Sequence, residues 1–128
     1  MKNATKEKKH RLILMSLNFF LAEIFILIKS PVFALLTILG NVMIGTFSLA
    51  FYFFELNHNV KIHSYLDALW WGMATATTTG YGDITPVTIQ GKVLGIILML
   101  TGMALFAMFT ALFAKTILNS STYYRHED

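Results

Sequence analysis

Two long apolar runs with a broken segment between them decide what this chain can fold into. Val32 to Phe54 is almost wholly apolar, with Asn41 its one strongly polar residue, and would rise roughly 34 Å as a helix. Val93 to Leu118 carries a single charge, Lys115 near its end, and would rise about 39 Å. Each is long enough to cross a bilayer, the second with some tilt. With 55% hydrophobic and 13% charged residues among 128, the chain is too apolar for an ordinary soluble domain of its size.

Between the runs the character changes twice. Glu55 to His63 is polar, and Ser64 to Thr77 is a half-apolar segment too short to cross. The latter reads as a helix that Ser64 caps, with Asp67 three residues on placing negative charge at the positive end of its dipole. Gly80 and Gly82 then break the pattern and Pro86 forbids immediate continuation, so about ten residues after Thr77 are irregular backbone. Unpaired peptide groups cost several kcal/mol each in hydrocarbon, so such a segment survives at membrane depth only inside protein or along a water-filled path.

The N-terminus is basic. Lys2, Lys6, Lys8, Lys9 and Arg11 precede an apolar stretch from Leu12 to Ile28 that superficially matches a secretory signal. Glu23 interrupts it, and Lys29-Ser30-Pro31 offers no small-x-small site, so cleavage is not expected. Ser16, Asn18 and Glu23 also weaken it as a third crossing, which would send the basic residues outside. With two crossings and both termini cytoplasmic, only Lys61 and Lys92 lie outside, in keeping with the positive-inside tendency. The favoured reading is a helix lying on the inner membrane surface, although its polar residues do not share one clean face. Net charge of +3 is gathered at the chain's beginning rather than along a folded face, so nucleic acid is not an expected partner. The absence of cysteine removes thiolate metal sites and thiol nucleophiles, and nothing in the chain supports an enzyme or a cofactor.

The segment Thr78-Thr79-Gly80-Tyr81-Gly82-Asp83 carries the chemistry. An ion in a bilayer must shed water, and oxygen dipoles around its path are what can replace that water. Successive carbonyls can aim in one direction only if some residues are left-handed, which glycine allows without steric cost. Thr78 to Gly82 extends at most roughly 17 Å, enough for several sites in line. One strand covers one side of an ion, so four chains around a shared axis are implied.

These residues resemble the potassium-channel signature, and in particular that of the prokaryotic family with two membrane spans and one pore loop. Ala68-Leu69-Trp70-Trp71, Thr75-Ala76-Thr77-Thr78, Asp83, Pro86-Val87-Thr88 and Gly91 are similar to the pore region of proton-gated bacterial potassium channels. The resemblance covers about Val32 to Asn119. It implies an all-α membrane protein, a four-fold homotetramer in the cell membrane with lipid around it. Charge and hydropathy together with the resemblance divide the chain into a basic cytoplasmic N-terminus with an interfacial helix over 1–30, a pore domain over 31–119 and a short cytoplasmic tail over 120–128. Within the pore domain the apolar runs give an outer helix over 32–54, a pore helix over 64–77 and an inner helix over 93–118, and the resemblance makes the pore helix re-entrant and 78–82 a selectivity filter. Carbonyls of Thr78, Thr79, Gly80 and Tyr81, with the Thr78 hydroxyl, would coordinate dehydrated potassium, and Gly82 would shape the mouth. Tyr81 would pack against Trp70 and Trp71, and Asp83 would hydrogen-bond Trp70. An interfacial aromatic belt is the plainer reading of the two tryptophans.

One departure concerns Ala74, which stands where proton-gated relatives often carry a glutamate paired with the aspartate. Slow filter inactivation is therefore not expected. Along the second run Met103, Phe106, Thr110 and Ala114 recur at spacings of three, four and four, a stripe suited to an inner cavity or to helix packing. Gly102 sits where relatives have a bending glycine, and a packing glycine is its alternative. Lys115 can snorkel to headgroups or ring the inner mouth. No voltage sensor or nucleotide-binding ring is legible in these residues, so a stimulus is expected to act on the pore or its tails. His10, His58, His63 and His126 titrate near neutrality; each reads as a solvated surface group, and proton gating through His10 and His126 is the sharper alternative. A non-selective cation channel, a potassium-uptake transporter and a silent modulatory protein are the competing readings. The intact Tyr81 and Gly82 argue against the first and the single pore segment against the second.

Overall fold

A computed structural model describes residues 17, 18 and 20–125, with side chains through 118. The basic cluster from Lys2 to Arg11, with His10, and also His126, lie outside the described residues. Helix α1 covers 20–28, α2 Pro31–Glu55, α3 Tyr65–Ala76 and α4 Ile89–Arg125. Among the described residues there is no strand, and two helices, Pro31–Glu55 and Ile89–Leu118, are long and apolar enough to cross a membrane.

Local chemistry sets the helix starts. Ser30 accepts from the Phe33 amide at 3.1 Å, an N-cap placed one residue before Pro31, whose missing N–H costs nothing in a first turn. At α3 the capping box is complete. Ser64 Oγ accepts from the Asp67 amide while Asp67 Oδ2 accepts from the amides of Ser64 at 2.8 Å and His63 at 2.9 Å. Helix α4 begins at Ile89, before the apolar run that starts at Val93, because Thr88 caps it: Thr88 Oγ1 accepts from the Gly91 amide at 2.9 Å. Its first turn holds no acidic residue.

Two compact units divide the chain. In the unit from Leu35 to Phe109, the core consists of Phe51, Ile62, Ala68, Trp71, Ala76 and Leu98. The Trp71 ring stacks on Phe51 at 3.5 Å and 10°, which fixes α3 against α2. Gly72 lies so close to α2 that a Cβ there would collide with Ser48 Oγ. Gly102 touches the other end of α3, where a Cβ would meet the Ala76 carbonyl oxygen at 2.6 Å. Glycine at 102 is thus required by close helix approach.

The other unit joins residues up to Ala34 with those from Thr110. Phe33 meets Phe113 edge-on at 6.4 Å. Leu27 is covered, whereas Leu21, Phe25, Ile26 and Ile28 of α1 are exposed. Lys29 Nζ lies 4.4 Å from the Phe25 ring centroid, a cation–π contact.

Outside the core, α2 and α4 show the inverse of a soluble surface. Leu35, Ile38, Val42, Phe53, Ile96 and Leu100 are all more than half exposed. Such a face needs lipid or neighbouring protein as its solvent. Gly102→Ala forces a Cβ onto backbone and is expected to destabilise the fold by about 2 kcal/mol. Gly40→Ala meets only ordinary contact with Leu105 at 3.8 Å and is expected to be neutral or stabilising by up to about 1 kcal/mol. Thermal unfolding of the two variants in detergent measures the contrast; equal midpoints would contradict the packing.

Candidate ion-coordination site

The segment after α3 is held by its amides. At the C-terminus of α3 the last carbonyls have no partner within the helix, and the following residues supply one. Thr77 N donates to the Met73 carbonyl at 3.0 Å and Thr78 N to that of Thr75 at 3.1 Å. Thr79 N and Gly80 N both donate to the Ala74 carbonyl, at 2.9 and 3.0 Å. Among the described residues every peptide bond is trans, so each C=O points opposite to the N–H of the same peptide plane. With the amides of 78, 79 and 80 turned onto α3, the carbonyls of Thr77, Thr78 and Thr79 point away from it.

The backbone alternates in hand along the same stretch. Thr78, Gly80 and Gly82 have φ of 60°, 56° and 75°, while Thr79 and Tyr81 between them do not enter the positive region. Nothing lies within 4 Å of a Cβ built on Gly80 or Gly82, so conformation, not crowding, calls for glycine there. Thr78 is the costly member. A β-branched residue in the left-handed region is strained by roughly 1–2 kcal/mol, and its bond to the Thr75 carbonyl holds it there.

Beyond Gly80 the support changes to side chains. The Tyr81 ring stacks on Trp70 at 5.2 Å and 6°. Trp70 Nε1 donates to Asp83 Oδ2 at 2.8 Å, and Ile84 N donates to Oδ1 at 3.0 Å. Lys61 Nζ donates to the Asp83 carbonyl. The Trp70 hydrogen bond, ahead of the Ile84 amide and the Lys61 charge and against some desolvation, holds the Asp83 carboxyl below the usual carboxylate range. Trp71 packs within the chain. Its ring is buried on Phe51, because adjacent helical positions face about 100° apart and Trp70 takes the direction of Tyr81 and Asp83. Ala74 contributes its backbone carbonyl rather than its methyl.

A second frame was not read from the sequence. Glu55, at the end of α2, is fully buried. Its carboxylate accepts from the amides of Val87 and Thr88, each at 2.9 Å, from Thr88 Oγ1 at 2.6 Å and from Asn59 Nδ2 at 2.8 Å. Asn59 Nδ2 also donates to the Thr85 carbonyl at 2.8 Å. Residues 55, 59 and 61 thus fasten 87–88, 85 and 83 in reverse order. The carboxylate also supplies negative charge at the start of α4, and the lack of an acid in that first turn was the signal available in the sequence.

Of the other sequence-derived residues, Met103 and Phe106 are exposed on α4 within the unit that contains 78–82. Thr110 and Ala114, with Lys115, are exposed in the other unit. His58 and His63 are exposed.

The protein-family description that matches, over residues 23–119, is "Ion channel". A voltage-gated potassium channel of Aeropyrum pernix is 51% identical over 65 residues, 50% of this chain and 21% of that protein. Potassium voltage-gated channel subfamily A member 5 of Rattus norvegicus is 37% identical over 83 residues, 64% of this chain and 13% of that protein. The chain therefore spans about a fifth or less of the length of these relatives. A crystal structure of a voltage-gated K+ channel pore domain, closed and in lipid membranes, superposes with a TM-score of 0.55 at 36% identity, covering 62% of this chain and 88% of that one.

A carboxyl with a depressed pKa stabilises the fold above its unfolded value and loses that contribution as pH falls through the lower folded value. Trp70→Phe removes the first cause, so Asp83 is expected to titrate nearer the ordinary carboxylate range and the acid limb of stability to flatten. Thermal unfolding of parent and variant between about pH 6 and about pH 3 tests this; parallel acid limbs would contradict it.

Proposed function

The chain belongs to the ion-channel family, and from that premise we propose that it is the pore-forming subunit of a potassium-selective channel. The carrying observation is the direction of the carbonyls. Three consecutive amides fold back on α3, which leaves Thr78 and Thr79 oxygens free on the opposite side, and the alternation of hand through Gly80 and Gly82 continues that side to Tyr81. Four copies around an axis surround a dehydrated potassium ion with oxygens from Thr78, Thr79, Gly80 and Tyr81 at successive levels, and the Thr78 hydroxyl closes the inner end. Gly82 forms the outer mouth.

The α3 C-terminus is the negative end of its dipole and favours a cation waiting below the segment. Trp70, Tyr81 and Asp83 brace the outer half. Met103 and Phe106 line the inner path and Gly102 seats α4 beneath α3. Transport is passive, with potassium as the permeant species and no cofactor or covalent step. The homotetramer lies in the cell membrane with α2 and α4 crossing it, both termini cytoplasmic and α1 on the inner surface.

Purified protein in planar bilayers, with opposed potassium and sodium gradients, provides the test. A reversal potential close to that of potassium is expected. Reversal midway between the two ions would mean a non-selective pore, and silence of the pure protein would end the reading.

A further inference from the structure

The hydroxyls of Thr77 and Thr79 touch, at 2.9 Å. Thr77 is the C-cap of α3, and its Oγ1 also lies 2.7 Å from the Met73 carbonyl, with the Ala74 carbonyl farther off at 3.5 Å. A hydroxyl has one proton to give. The Met73 oxygen can only accept, so where Thr77 donates to it at 2.7 Å the proton in the Thr77–Thr79 contact comes from Thr79. With both contacts made at once, the order is Thr79 Oγ1–H to Thr77 Oγ1, and Thr77 Oγ1–H to Met73 O.

Residue 79 is consequently tied to α3 twice. Its amide reaches the Ala74 carbonyl and its hydroxyl, through Thr77, reaches that of Met73. It lies between the two left-handed residues Thr78 and Gly80, where rotation of a peptide plane would turn an oxygen back toward α3. The next amide, Gly80 N, anchors the plane that carries the Thr79 carbonyl. Tyr81 and Asp83 lean on Trp70 instead, so the inner half of the segment has its own separate support.

We infer that Thr77 and Thr79 form a hydroxyl strut that holds the Thr79 carbonyl toward the ion path, making their side chains positioning residues for the inner half of the filter. This rests on the potassium-channel reading above and adds to it a role for two hydroxyls that coordinate no ion. Linked hydrogen bonds of this kind act together rather than separately. Removing either end should therefore have the same effect as removing both.

The test is single-channel recording of the full-length protein in potassium, reading mean burst duration. Thr79→Val keeps the side-chain shape and removes only the hydroxyl; bursts are expected to shorten about fivefold, the worth of one neutral hydrogen bond. Thr77→Val is expected to match it, the double variant to be no worse than either single one, and Thr79→Ser to lie nearer the parent than Thr79→Val does. Because the two valine variants are separate routes to the same loss, failure of one to fold leaves the other to decide. Parental bursts in a valine variant, or losses that add in the double variant, would overturn the strut alone. A parent without potassium current overturns the channel reading and the strut together.

Discussion

The carbonyl of Ala74 accepts from two amides, Thr79 N and Gly80 N, and the rest of the structure is arranged around that convergence. An α-helix leaves its last carbonyls unpaired, and an extended segment leaves its amides unpaired. Here each satisfies the other. The geometry of the trans peptide then does the functional work, since an amide turned toward α3 sends the oxygen of its own plane the opposite way. One set of bonds thus stabilises irregular backbone and orients the oxygens proposed to bind the ion. The strain at Thr78 is tolerated because the surrounding bonds over-determine its conformation.

For this to hold, α3 must itself be fixed. Its start is fixed by the Ser64–Asp67 capping box, its middle by Trp71 on Phe51 and its end by Gly102 against Ala76. Downstream, the buried Glu55 gathers four donors, with Asn59 and Lys61 holding Thr85 and Asp83 beside it. Burying a carboxylate is costly unless its oxygens are filled, and here they are. The same residue serves three elements: it ends α2, pins the returning loop and places negative charge at the start of α4.

Much of this was legible in the sequence because the membrane leaves few solutions. Two apolar runs can be little other than helices, Ser64 and Asp67 announce a helix start, and Gly80 and Gly82 mark left-handed backbone. What was not legible depended on distance in the fold. Trp70 and Trp71 are equivalent as neighbours in sequence, and only the rotation of α3 decides that one faces Asp83 and the other Phe51. Glu55 looked like the polar edge of a span, since three of its four donors, on Val87 and Thr88, lie more than thirty positions away. The left-handed Thr78 had no compositional sign at all, because threonine ordinarily avoids that region. The start of α4 was read at Val93 from hydropathy, whereas Thr88 sets it through a cap.

The oxygens of Thr78, Thr79, Gly80 and Tyr81 are proposed to face a shared axis, those of Thr78 and Thr79 because the amides of their own peptide planes are held by α3. The most direct measurement is a crystal structure of the membrane-embedded protein with thallium(I) in place of potassium, read by anomalous scattering. A column of peaks on a four-fold axis is expected, bordered by those four carbonyls, with Thr79 N and Gly80 N still on Ala74. Carbonyls turned back toward α3, or an axis without thallium beside them, would contradict it.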